Sequence, residues 1–117
     1  MAPRNNLAVL LESEGRLDEA LEAAQAAYAV SDSSPAVMDT LGWLYLRKGS
    51  AARAVALLEK AVALEPDNVE TRYHLALACR EAGQVERAKE LLGALHAELD
   101  SSHELYGQVD EAVASLP

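Results

Sequence analysis

The sequence predicts an all-α chain, a solenoid of three helical hairpins with a closing helix. Three observations lead there: residue types recur every 34 positions, each repeat holds two runs of helical apolar periodicity, and one glycine separates the runs. Sliding the chain by one repeat aligns Leu7 with Leu41 and Leu75, and Ala8 with Gly42 and Ala76. Gly15, Gly49 and Gly83 then coincide, followed by Ala20, Ala54 and Ala88, with no gap over 102 residues. Composition agrees: 50% of the 117 residues are apolar, mostly Ala, Leu and Val, and Phe is absent. Such a mixture favours close-packed helices over sheets.

The middle repeat shows the physical plan. Ser34 is placed to cap a helix beginning at Pro35, where a missing N–H costs nothing, and Val37, Met38, Leu41, Leu44 and Tyr45 carry its apolar face. Gly49 stops that helix, and Ser50 opens a second one carrying Ala54, Leu57, Leu58, Ala61, Val62 and Leu64. Pro66, Asp67 and Asn68 end it and cap the next. Small residues at Gly42 and Ala54 let the paired helices approach closely. A single hairpin has two apolar sides and needs a neighbour to bury them.

The predicted units are residues 1–34, 35–68 and 69–102, followed by a closing helix in 103–117. Ser101 to Glu104 reads as a capping box for that helix, and Leu105, Tyr106, Val109, Ala112, Val113 and Leu116 form its apolar stripe.

The formal net charge of −9 leaves little to drive counterion release from a phosphate backbone, so nucleic acid and anionic membranes are unfavourable partners. Cys79 is the only cysteine, so no internal disulfide forms and redox chemistry does not choose a compartment. No stretch reaches the ~18 apolar residues of a membrane span. The start of the chain shows no secretion-signal pattern, and cytoplasmic and periplasmic placements both fit.

Little here suggests catalysis or metal binding. His74, His96 and His103 have no Cys or second His one helical turn away, and Cys79 lacks a neighbouring His. His74 is expected to line a groove, His96 and His103 to be solvated, and Cys79 to be a buried thiol. Adjacent carboxylates such as Asp18 and Glu19 point about 100° apart on a helix and cannot share a substrate. The expectation is a non-enzyme without cofactor or metal.

Met38, Leu41, Gly42 and Tyr45, then Ala54, Leu58, Ala61 and Pro66, stand at the spacing of the tetratricopeptide repeat (TPR) signature, which residues 1–102 resemble three times over. Met38 stands where the family usually has Trp. In the outer repeats Arg4 and Arg72 replace that aromatic, Leu11 and Cys79 replace the Tyr, and Asp32 and Asp100 replace the Pro. The stretch from Asp39 to Tyr45, with Asn5 to Ala8, is similar to segments of long bacterial TPR proteins, including some linked to exopolysaccharide export.

The resemblance implies a right-handed superhelix whose concave surface, lined by the first helix of each hairpin, binds a protein or peptide segment. Mapped onto this chain, that surface takes Asn5, Val9 and Glu12 from the first repeat, and Asp39, Thr40, Trp43, Leu46 and Arg47 from the second. Glu70, Tyr73, His74, Leu77 and Arg80 come from the third. Val9, Trp43 and Leu77 lie one repeat apart and are expected to form an apolar ladder, unless Trp43 is covered by its own hairpin or by the closing helix. Arg47 and Arg80 beside it favour a ligand that is apolar and acidic. The carboxylate clamp of chaperone-binding TPR domains is not expected, because its five positions correspond to Asn5, Val9, Thr40, Glu70 and His74. A second reading is a structural segment of a longer solenoid or of a homo-oligomer, joined through the exposed N-terminal stacking face, in an assembly such as bacterial polysaccharide export or secretion.

Overall fold

The computed structural model describes the backbone of residues 3–117 and the side chains of residues 6–117. Seven helices and no strand occur among the described residues: α1 (Pro3–Ser13), α2 (Leu17–Val30), α3 (Pro35–Arg47), α4 (Ala51–Leu64), α5 (Val69–Glu81), α6 (Val85–Glu98) and α7 (Tyr106–Ala114). The chain is an all-α solenoid of stacked hairpins.

The first helices of the second and third hairpins start as their residues dictate. The Ser34 hydroxyl accepts the Val37 N–H at 3.4 Å with Pro35 at the first helical position, and the Asn68 side chain accepts the Thr71 N–H at 3.1 Å. The second helices lack such caps, and Ser50 sits at the start of α4 without a side-chain bond. They follow instead from one turn used three times. Gly15, Gly49 and Gly83 adopt φ of 77°, 87° and 84°, a left-handed conformation costly to any residue with a Cβ. The next N–H in each case, of Arg16, Ser50 and Gln84, reaches back to the carbonyl of Leu11, Tyr45 or Cys79 at 2.8–2.9 Å. This closes the last turn of one helix and aims the next back along it.

Packing proceeds from neighbour to neighbour through three apolar clusters. Ala8, Leu11, Ala20 and Ala24 of the first hairpin meet Met38, Leu41, Leu44 and Leu57 of the second. Val55 and Leu58 then meet Leu75, Ala78 and Cys79, and Leu92, Leu95 and Ala76 meet Val109 and Ala112 of α7. The repeat register survives in this burial. Ala20, Ala54 and Ala88 are all fully buried, and Leu41, Leu75 and Val109 are 2%, 0% and 0% exposed. Leu7, the matching residue of the first repeat, stays 49% exposed.

The closing helix is thus in register as the first helix of a further hairpin. Val109 follows Leu75 by one repeat and Ala112 follows Ala78. Asp110 occupies the position of Gly42 and Ala76, where a second helix presses in those hairpins; no helix follows α7 among the described residues, and Asp110 is largely exposed. The expected capping box does not form. The Asp100 carboxylate instead accepts the Ser102 N–H at 2.9 Å and the Ser102 hydroxyl at 3.0 Å, His103 Nδ1 accepts the Leu105 N–H at 3.1 Å, and the helix begins only at Tyr106. An Asp two residues ahead of an N–H competes directly with helix capping.

α5 and α6 are bridged by Arg72, which donates through both terminal nitrogens to Glu98. That hydrogen bond holds the Glu98 carboxyl below its ordinary range, and the Ser102 bonds do the same for Asp100. A carboxyl with a lowered folded-state pKa stabilises fully above the unfolded value and loses this contribution as pH falls through the folded value. The stability difference between wild type and Glu98→Gln is therefore expected to shrink on acidification below about pH 4. Paired thermal melts at neutral and acid pH check this, and a constant difference would contradict it.

Candidate binding groove

Three side-chain ties run along the face shared by α1, α3, α5 and α7. Arg47 donates to Glu12, His74 Nδ1 lies 2.8 Å from an Asp39 oxygen, and Arg80 donates to the Ser115 hydroxyl at 3.3 Å. Each joins residues 35 apart, one repeat plus one position. Consecutive first helices are thereby tied, the outer two pairs near their C-terminal ends and the middle pair near its N-terminal end, with α7 serving as the fourth.

Trp43 stands at the centre of this face. It is half-buried, and its ring stacks on His74 of the next hairpin with centroids 4.4 Å apart and planes 28° from parallel. Tyr73 lies behind the imidazole at 6.2 Å. The imidazole is 16% exposed and is fixed by Asp39, so the indole rests on a support that is itself held. Part of the ring remains open to solvent and borders the recesses around it.

Two clefts flank it. One, of about 290 Å³, lies between α1, α3 and α5 and is lined by Val9, Leu44, Trp43 and His74, with Glu12, Asp39, Thr40 and Glu70. The other, of about 470 Å³, has Leu46, Leu77 and Ala51 as its apolar surface and Arg47, Arg80 and Glu81 at its edge. Val9 shares the first cleft with Trp43, and Leu46 and Leu77 share the second with it. Tyr73 joins Trp43 and His74 in a third recess toward α7. Asn5 lies outside the residues with described side chains.

Both arginines expected beside the apolar ladder have partners. Arg47 is matched by Glu12, and Arg80 is occupied by Ser115 and by Glu81 at 3.8 Å. Neither is the unopposed cation that an acidic ligand would require. A further wall also emerges: Glu104, Leu105, Gln108 and Glu111 border the recesses beside Tyr73. Gln108 follows His74, and Glu111 follows Leu77, by one repeat, so continuing the register would have found them.

The remaining candidates resolve individually. His96 is not simply solvated: it stacks on Tyr106 at 5.2 Å, and its Nε2 lies 3.0 Å from Asp110, pinning α7 to α6. His103 is exposed but engaged by the Leu105 N–H. Cys79 is fully buried, and burial pushes its thiol above the ordinary value, outweighing the opposing pull of Arg87. Among the described residues, no group of three His, Cys, Asp or Glu side chains is placed to share a metal ion, and no helix is long and apolar enough to cross a membrane.

Residues 45–108 match a tetratricopeptide repeat family model, and residues 4–36 match a second model of the same description. The first match spans the turn at Gly49, the turn at Gly83 and the start of α7. The chain belongs to the tetratricopeptide repeat family. Protein FlbA of Caulobacter vibrioides is 30% identical over 84 residues of this TPR chain, which correspond to 72% of it and 14% of FlbA. The chain therefore spans about one seventh of that relative's length. Among solved structures, the nearly identical TPR-like repeats of a Podosopora anserina kinesin light chain superpose with a TM-score of 0.81 at 26% identity, covering 95% of this chain and 62% of that one. The type III secretion translocator chaperone SycD of Yersinia enterocolitica gives 0.82 at 17% identity over 96% and 79%. The second TPR domain of human RPAP3, in complex with an HSP70 peptide, gives 0.78 at 14% over 95% and 89%.

Proposed function

We propose that this TPR chain is a non-catalytic protein-interaction scaffold that holds a segment of another polypeptide along the face of α1, α3 and α5, with Trp43 as the central anchor. The observation that carries this reading is the support beneath Trp43. A half-buried indole, stacked on an imidazole that is itself hydrogen-bonded to Asp39, presents a large apolar surface whose ordering cost is already met in the free protein. Clefts on both sides give a ligand's side chains somewhere to go. Proteins of this fold accept peptides: RPAP3 TPR domains have been solved with the HSP70 peptide SGPTIEEVD and the HSP90 peptide SRMEEVD. Those peptides end in Glu, Glu, Val and Asp, and the acid-lined cleft of this chain suits a different ligand.

A second reading, a segment of a longer solenoid or of a homo-oligomer, is favoured by the N-terminal face. Leu7 and Leu10 are 49% and 55% exposed, beside a shallow recess formed by Leu11, Ala23 and Ala26. The much greater length of FlbA is in keeping with it, and a bacterial polysaccharide export or secretion assembly is one setting for such a piece.

One experiment separates the two. Trp43→Ala, verified as folded by circular dichroism, is expected to weaken capture of the native partner by about 2 kcal/mol or more, the usual cost of truncating a central aromatic anchor. Normal binding by this variant would refute the groove reading. Self-association that persists in Trp43→Ala and is lost in Leu10→Lys would support the stacking face.

A further inference from the structure

We infer that the segment bound in this groove carries a lysine or arginine beside its apolar anchor, and that the cleft between α1, α3 and α5 receives that cation. The inference rests on the groove reading and specifies its ligand. Two features of the cleft support it, the sign of its charges and the apolar walls that lie beside them.

The cleft contains the carboxylates of Glu12, Asp39 and Glu70, and its one arginine neighbour, Arg47, is spent on Glu12. Glu70 is exposed and makes no ion pair among the described residues. The α7 wall adds Glu104 and Glu111 and contributes no base. Two of the polar side chains that could have served an anionic ligand are already engaged. The Thr40 hydroxyl donates its proton to the Ala36 carbonyl at 3.0 Å, leaving only its lone pairs toward the cleft. The His74 Nδ1 is likewise engaged, with an Asp39 oxygen at 2.8 Å. Three carboxylates in one cleft favour a ligand that supplies N–H groups, as an ammonium or guanidinium does. Val9, Leu44 and Trp43 provide apolar walls for the aliphatic stem of such a side chain, whose charged end then lies among the carboxylates. A second copy of this chain, at −9, is a poorer occupant than a basic segment.

The test is selection of a phage-displayed library of random short peptides on the full chain and, in parallel, on Trp43→Ala. Peptides that bind the wild type and lose binding to Trp43→Ala are expected to be enriched in Lys or Arg adjacent to an apolar residue. Measured by fluorescence anisotropy, replacing that basic residue with Gln is expected to weaken binding about tenfold. Glu70→Gln, an exposed change that spares the fold, is expected to weaken the basic peptide about threefold and leave its Gln version unaffected. Trp43-dependent peptides that are acidic, or indifferent to Glu70→Gln, would overturn the charge assignment while leaving the groove in place. A library with no Trp43-dependent binders would overturn both.

Discussion

Gly42→Leu is expected to destabilise the protein by about 3 kcal/mol, the upper end of what overpacking a core costs. A Cβ built at Gly42 would stand 2.8 Å from Leu58 Cγ and 3.1 Å from its Cδ2, where helix α3 crosses α4. Leu58 is fully buried, and its Cγ is a branch point that cannot rotate aside as a chain end would. Leucine adds three further carbons to this collision. Gly42→Ala separates the components of the effect: it gains about 1 kcal/mol of helix propensity and loses part of that to the Leu58 contact, so its net change is small. Denaturant midpoints for Gly42→Leu, Gly42→Ala and the exposed control Lys60→Ala are the measurement. Equal midpoints for the leucine variant and the control would contradict the packing described.

Removing residues 103–117 is expected to be at least as damaging. Val109 is fully buried and Ala112 nearly so against Leu92, Leu95 and Ala76, with Leu105, Val113 and Leu116 packed around them. At about 1.5–3 kcal/mol for a fully buried aliphatic side chain, with less for the partly buried ones, the helix contributes about 5 kcal/mol. That equals the whole net stability of many domains. The truncated chain should therefore aggregate or melt without cooperativity, as read by light scattering and by the calorimetric transition. Val109→Asp, which keeps the chain length and buries a charge, should act in the same direction. A soluble truncated monomer melting at the wild-type temperature would show that α7 is dispensable.

The hairpins were legible because every device that forms them is local and repeated: one glycine per turn, Ser34 and Asn68 as caps, and apolar residues at helical spacing. Two things were not. The start of α7 was misjudged because Ser101 to Glu104 fits a capping box, whereas Asp100, one residue upstream, takes the Ser102 N–H first. The pairing of Arg47 was not legible because its partner, Glu12, lies 35 residues away. Periodicity placed Arg47 on the correct face, but it says nothing about how opposite charges on neighbouring helices pair once stacked.

The ties of Arg47 to Glu12, His74 to Asp39 and Arg80 to Ser115 also have a mechanical meaning. Each hairpin packs mainly on its neighbours, so the chain behaves as a short coil spring whose coils are stitched along one edge. The stitch of Arg47 to Glu12 is an ion pair near solvent and slackens with salt, whereas the apolar seams beneath do not. Under tension the coil should therefore open along the stitched edge first, at a force that falls as ionic strength rises. A ligand lying across those stitches would feel any pull on the ends of the array as a change in the pitch of its own binding surface.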